Sequence, residues 1–279
     1  MSAPGPRIGL ALGGGSARGF AHVLMLEAFD ELGVQPAIIA GTSMGAICGA
    51  AYAAGHSGAE LRGELIAIFG KRRHFWSRLA GKLGGGFANL WSLRFPRLLD
   101  NVTLFEMLLP DAMRRSFDEL RIPFLAIAAA FYAMEQVILD RGPLIPALAA
   151  SSALPSLARP VVLAGRVLID GGYVNPVPYD VIMDRADITV AVDVTGDTTR
   201  RPGARTPRTL EAVTGATQLL FHSVTREKLK SVAPDIFIRP DVGGFAALDY
   251  FKVREIFAAA EPAKEVLKRK IAQRLAGPG

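Results

Sequence analysis

Short apolar runs closed by glycine alternate along this chain with longer stretches in which apolar residues return at helical spacing. Residues 7–12 form the first run, a predicted strand that leads straight into Gly13-Gly14-Gly15-Ser16-Ala17-Arg18-Gly19. A helix is predicted over about 20–32, where Ala21, Leu24, Ala28 and Leu32 share one face, Glu27, Asp30 and Glu31 point outward, and Gly33 stops it. The second predicted strand, 37–42, delivers Ser43, and the small helix formers Ala46, Gly49, Ala50, Ala51, Ala53 and Ala54 follow at once. From about 57 to 119 the pattern loosens into helices and loops. It tightens again with a buried strand over 122–130, its partner over 134–139, a short helix over 143–152 and a hairpin (161–163 with 166–169) turning at Ala164-Gly165. A buried strand at 188–194, a surface loop at 195–207, a long helix at 209–232, a last strand at 236–239 and a basic helix at 251–275 complete the chain. Strands separated by helices predict an α/β fold with parallel pairing, and neither an internal repeat nor a domain linker interrupts it.

The chemistry concentrates where strands end. In Gly41-Thr42-Ser43-Met44-Gly45 an apolar strand meets a serine that opens a helix. Such a turn holds the serine in a strained backbone conformation with Oγ exposed, and Gly41 and Gly45 lack the Cβ atoms that would collide across it. Ser43 reads as a nucleophile, although a Gly-x-Ser-x-Gly string also arises by chance among 29 glycines. The glycine-rich loop after the first strand offers backbone N–H groups and a helix N-terminus to an anion. A dinucleotide fingerprint would need glycine where Arg18 stands, and a phosphate-binding P-loop would need Gly-Lys-Ser/Thr where Gly19-Phe20-Ala21 stands, so nucleotide binding is disfavoured. Parallel neighbouring strands put this loop and Ser43 on one edge of the sheet. The amides of Gly13, Gly14, Gly15 and Met44 are then candidate donors to an oxyanion.

A serine nucleophile needs a base, and the four histidines are poorly placed for it. His56 closes the helix that Ser43 opens, about 20 Å away at 1.5 Å per residue. His74 lies in a basic segment and His222 in the long C-terminal helix. His22, one turn after the glycine loop, reads as a satisfied core histidine. Asp170 remains. It ends a strand and is followed by Gly171-Gly172 and by Asn175-Pro176-Val177-Pro178, a setting that plain turn chemistry also explains. An aspartate near its usual pKa of about 3.9 is a weak base, and desolvation beside Ser43 would strengthen it.

Composition adds bounds. At 279 residues, 50% hydrophobic and 21% charged, the chain suits one large α/β domain. No apolar run is long enough to span a bilayer, and the N-terminal apolar run is too short for a secretory signal. The single cysteine, Cys48, excludes an internal disulfide and fits a reducing, cytoplasmic setting, where it reads as a small buried hydrophobe. The net charge of +6 suits an anionic partner. Lys71, Arg72, Arg73, Arg78, Lys82, Arg94 and Arg97 are interleaved with Phe75, Trp76, Phe87, Trp91 and Phe95. Basic and aromatic residues together favour peripheral contact with an anionic membrane, with Lys71, Arg72, Arg73, Trp76 and Trp91 as the contacts; a solvated flap with buried aromatics is the equal alternative. No nucleic-acid-binding module surrounds the patch.

With its loop Gly13-Gly14-Gly15-Ser16-Ala17-Arg18-Gly19, its elbow Gly41-Thr42-Ser43-Met44-Gly45 and its Asp170-Gly171-Gly172 in order, the chain resembles the patatin-like phospholipase family over roughly residues 7–193. The resemblance implies an α/β fold of three layers, an α/β/α sandwich around a central, mostly parallel sheet. It implies one domain over 1–279, with a core at about 7–193, a basic and aromatic cap at about 57–119 and a C-terminal helical extension at about 209–275. It further implies a Ser43–Asp170 dyad that hydrolyses fatty-acyl esters of phospholipids or lysophospholipids through an acyl-enzyme, with no metal or cofactor. Gly19, Gly41, Gly45, Gly171 and Gly172 support the motifs, and Arg18 either orients an anionic headgroup or braces its loop. An esterase, thioesterase or polyester depolymerase with the same dyad, or a lipid-binding protein without turnover, are the rival expectations.

Overall fold

Parallel pairing puts the ends of successive strands on one edge, and the register here shows how far that holds. The computed structural model describes residues 5–73, 101–110, 113–155, 157–196, 206–207 and 209–276. Among them β1 (Ile8–Leu12), β2 (Ile38–Thr42), β3 (Phe124–Ala130), β7 (Ile188–Val192) and β8 (Ile236–Ile238) lie parallel in the order β3-β2-β1-β7-β8. β4 (Glu135–Leu139), β5 (Val161–Leu163) and β6 (Arg166–Asp170) complete an eight-stranded mixed sheet by antiparallel pairing. The central strands are buried on both faces, which is why they read as unbroken apolar runs rather than alternating ones.

Helices cover both faces. On one face α1 (His22–Glu31), α2 (Met44–Ala53), α3 (Gly58–Phe69) and α7 (Val253–Leu275) share a core with Leu10, Leu12, Ile39, Val190 and Val192. On the other face Val177, Tyr179 and Ile182, from the segment after β6, pack with Ala11, Ala40 and Ala191, and Leu229 near the end of α6 (Thr209–Ser231) joins them. Two shorter helices, α4 (Asn101–Leu108) and α5 (Leu144–Ser151), pack on each other beside β3. This is the three-layer α/β/α sandwich that the motif resemblance implies.

The first helix differs from its expected start. Residues 16–21 form a 3-10 segment, and α1 begins only at His22 because the glycine-rich loop tightens into that segment first. β3 begins at Phe124, two residues late, since Pro123 has no N–H to give to a ladder. Residues 74–100, which hold Trp76, Trp91 and the middle of the expected basic and aromatic cap, and 197–205 of the expected surface loop lie outside the described residues.

One feature of β3 positions the site. Residues Ala126–Ala130 pair with β4, so β2 and β6 must share the opposite edge. β2 ends on it with Thr42 beside Ile127, and β6 arrives from the other direction with Asp170 beside Ala128. Two strand ends therefore meet head-on along one neighbour, and the residue after Thr42 is Ser43.

Candidate active site

Ser43 turns the chain from β2 into α2 with φ 53° and ψ −121°, a conformation that costs a non-glycine residue energy and persists only where packing enforces it. The packing is visible at the neighbours. A Cβ on Gly45 would run into the Leu12 and Gly13 carbonyls, and one on Gly41 into the backbone of Ala46. The Ser43 N–H is spent on Ser151 Oγ (3.0 Å), whose own hydroxyl donates to the Ile127 carbonyl (2.6 Å), tying the elbow to β3 through α5.

Asp170 is 1% exposed, and its Oδ1 accepts the Gly172 N–H at 2.8 Å. Burial pushes its pKa up to about 6, against the hydrogen bonds that the Ser43 side chain and the Gly172 amide give to its charged form. The Asp170 N–H donates to the Ala153 carbonyl, and the Asn175 N–H to that of Gly171, so the Asp-Gly-Gly turn is held at both ends.

The glycine loop lies against Ser43: a Cβ on Gly14 would stand 3.4 Å from the Ser43 Cβ. Two of its expected oxyanion donors are already engaged, however. The Gly13 N–H donates to the Val192 carbonyl and the Gly14 N–H to that of Pro176, each at 2.9 Å, because the loop is laced to β7 and to the segment after Asp170. The structure corrects the expectation for Gly13 and Gly14 on that ground. Gly15, just before the 3-10 segment, and Met44, the first residue of α2, keep N–H groups with no acceptor among the described residues.

Arg18 is 5% exposed and spends its guanidinium on the Phe245 carbonyl (2.7 Å), the Thr195 carbonyl and Gln218 Oε1 (2.6 Å). It braces the loop against C-terminal segments. The Gly19 carbonyl accepts the Cys48 thiol at 3.8 Å; burial pushes that thiol up to about 12, so it stays protonated. His22 is fully buried with Nε2 2.7 Å from the Gly13 carbonyl, and burial lowers its pKa to about 4. It is a neutral imidazole that fixes the loop from beneath. His56 sits beside Glu64 at 3.7 Å, His222 lies on α6, and His74 falls outside the described residues.

A cavity of about 400 Å³ opens at Ser43 and runs beside α2, lined by apolar side chains that include Ile47, Leu65, Phe105 and Leu154. Tyr250, from the segment before α7, stands in its wall. Ser16, at φ 51°, hydrogen-bonds the Tyr250 phenol, whose pKa is pushed up to about 12 chiefly by burial.

The model of the patatin-like phospholipase family matches residues 10–183, more than half of the chain and all three motifs. The chain belongs to the patatin-like phospholipase family. An NTE family protein of Mycobacterium tuberculosis is 36% identical to it over 192 residues, which cover 68% of this chain and 50% of that one. The lysophospholipase NTE1 of Kluyveromyces lactis is 29% identical over 282 residues, covering 91% of this chain and 18% of its own. The chain thus spans half or less of the length of the curated relatives it matches. Among solved structures, VipD from Legionella pneumophila superposes with a TM-score of 0.53 at 15% identity, over 96% of this chain and 67% of that one, and shares the fold.

Three side chains at this patatin-family site carry no signal in the sequence, Ser151, Ser16 and Tyr250, whereas His22, read from the sequence as a core histidine one turn after the glycine loop, is buried beneath that loop. The spacing of His22 from Gly13, nine residues across a turn into a helix, is the one hint. Ser151 and Tyr250 arrive from elements 108 and about 200 residues downstream of the elbow.

Proposed function

We propose that this chain is a carboxylic-ester hydrolase that cleaves fatty-acyl esters of phospholipids or lysophospholipids through Ser43 and Asp170. The observation that carries the reading is the juxtaposition itself: a serine in a strained elbow and a buried carboxyl of raised pKa line one small chamber, and the serine also lines an apolar cavity of about 400 Å³. Asp170 takes the proton of Ser43 as Oγ attacks the ester carbonyl, and the N–H groups of Gly15 and Met44 hold the developing oxyanion. Collapse expels the alcohol with the proton from Asp170 and leaves an acyl-enzyme, which water then hydrolyses. The apolar cavity suits a fatty-acyl chain, and the names of the yeast relative and of the family support a lipid substrate. The site also reads as facing a lipid surface, because Lys71, Arg72 and Arg73 stand exposed where α3 ends.

A fluorophosphonate probe should label Ser43, and Ser43→Ala should abolish both labelling and fatty-acid release from phosphatidylcholine vesicles and lysophosphatidylcholine micelles. Asp170→Asn should cut kcat by on the order of 10³-fold with the fold intact. Full activity in Asp170→Asn alongside none in Ser43→Ala would overturn the dyad.

A further inference from the structure

Ser43 stands between two spaces of opposite character. The large apolar cavity takes Ser43 and Met44 into its wall but not Asp170. On the other side a chamber of about 20 Å³ is lined by Asp170 and Ser43 and is roofed by Thr214, Thr217, Gln218 and Phe221 of α6. Ser43, Ser16 and Leu154 line both and divide them. The smaller space has room for a single water molecule, which needs about 10–15 Å³, and no room for the glycerol or headgroup of a lipid.

Its polar lining suits a water as well. Thr217 Oγ1 donates to the Val213 carbonyl at 3.2 Å, a bond within the helix, and lies 3.4 Å from the Tyr173 hydroxyl, which then donates to it and leaves one lone pair to accept. Arg18 carries donors alone, so the Gln218 oxygen must face it (2.6 Å), and the Gln218 NH2 is left with no acceptor among the described residues. With the Asp170 carboxylate these groups make up the two to four partners that a buried water requires.

We propose that this chamber holds the water that hydrolyses the acyl-enzyme, positioned by Thr217 and Gln218 against Asp170; the inference rests on the dyad reading and adds α6 to it. After the alcohol has left, the water gives one proton to Asp170 while its oxygen bonds to the acyl carbon. The tetrahedral adduct then breaks its bond to Ser43 Oγ, which regains the proton from Asp170, and the fatty acid departs. The acyl chain occupies the apolar cavity throughout, so chain and water never compete for one space. Thr217 thus acts in deacylation and is spared in acylation.

The test follows a single turnover of a p-nitrophenyl acyl ester on the whole chain, with nitrophenol release reporting acylation and intact mass reporting decay of the acyl-enzyme. Thr217→Val, which keeps the volume and removes the hydroxyl, should leave nitrophenol release within about twofold and slow acyl-enzyme decay by about tenfold or more, the scale of one lost hydrogen bond to a reacting group. Thr217→Ser should restore decay. In a methanol–water mixture, Thr217→Ala should raise the ratio of methyl ester to free acid several-fold over the wild type, since the enlarged chamber admits the bigger nucleophile. Equal slowing of both phases, or unchanged decay together with an unchanged methanol ratio, would overturn the proposal. A wild-type chain that turns over ester with no acyl adduct on Ser43 would instead remove the dyad reading beneath it.

Discussion

At the scale of single residues the raised pKa of Asp170 sets two measurable consequences. A carboxyl held at about 6 is ionised at neutral pH and is a stronger base than an aspartate in water. Fatty-acid release should therefore rise with pH through about 6 and level off above it, and a profile centred near 4 would contradict the burial that raises the pKa. The same shift affects stability. Between about 3.8 and 6 the native state holds the Asp170 proton more tightly than the unfolded chain does, so stability falls as pH rises through that window. Below it no penalty exists; above it the penalty is full, roughly 3 kcal/mol at most for a shift of this size. Asp170→Asn removes the penalty. Its unfolding free energy relative to wild type should be greater at pH 7.5 than at pH 4.5, and urea titrations at the two pH values measure the difference. Burial of this kind is not written in Asp170-Gly171-Gly172, which reads equally well as a turn. It comes from the packing of β3, α5 and α6 around the carboxyl, and the loss of the Gly13 and Gly14 amides likewise comes from carbonyls more than 150 residues away.

At the scale of elements, α2 does two jobs along one face. Its first residue, Met44, follows Ser43 and keeps an N–H with no acceptor among the described residues, and Met44, Ile47, Cys48 and Ala51, spaced as one helical stripe, line the large cavity. Ala51 stands about 10 Å along the helix axis from Met44, so it marks depth in the acyl space. Ala51→Leu should fill the cavity there without touching the dyad. Turnover of long-chain esters should fall at least tenfold while short-chain esters change by about twofold, since each displaced methylene forfeits about 0.8 kcal/mol. A uniform loss across a chain-length series would place the acyl chain elsewhere. This helix, the elbow before it and the first strand and loop are legible in the sequence because their pattern is local: an apolar run, glycines and a small-residue helix. The meeting of β2 and β6 on one edge of β3 is not legible. It depends on Ala128 pairing with Asp170 rather than on any feature of either segment, and the alternation of strand and helix predicts parallel neighbours, not an antiparallel strand arriving head-on. The closing helix is readable as a helix, but its place in the core beside α1 follows from Val253, Ile256, Phe257 and Leu267 finding an apolar face that only the folded sheet presents.

For the whole molecule the question is how the proposed lipid substrate would reach Ser43. The chain carries a net charge of +6, and no helix among the described residues is long and apolar enough to cross a membrane. The end of α3 offers a surface at which the proposed lipid encounter can be tested. Phe69, at its last turn, stacks on Tyr250 at 5.7 Å, and both line the large cavity. Just beyond, Lys71, Arg72 and Arg73 stand exposed, with the Arg72 guanidinium 5.0 Å over the Phe251 ring. Three cations thus follow closely on a residue that lines the large cavity, where an anionic bilayer would meet them if a lipid chain entered there. Each basic residue near such a surface contributes about 1 kcal/mol, so the triplet is worth roughly 3 kcal/mol, or about a hundredfold in partitioning. Binding to vesicles containing phosphatidylserine should weaken steeply as salt is raised, because the surface potential is screened within about 10 Å at 0.1 M. Replacing Lys71, Arg72 and Arg73 together by glutamine should reduce partitioning by one to two orders of magnitude. Hydrolysis of a soluble short-chain ester should stay near the wild-type rate in the same variant, since none of the three touches Ser43 or Asp170. Partitioning that ignores both the salt and the triple substitution would mean that another face of the molecule meets the lipid.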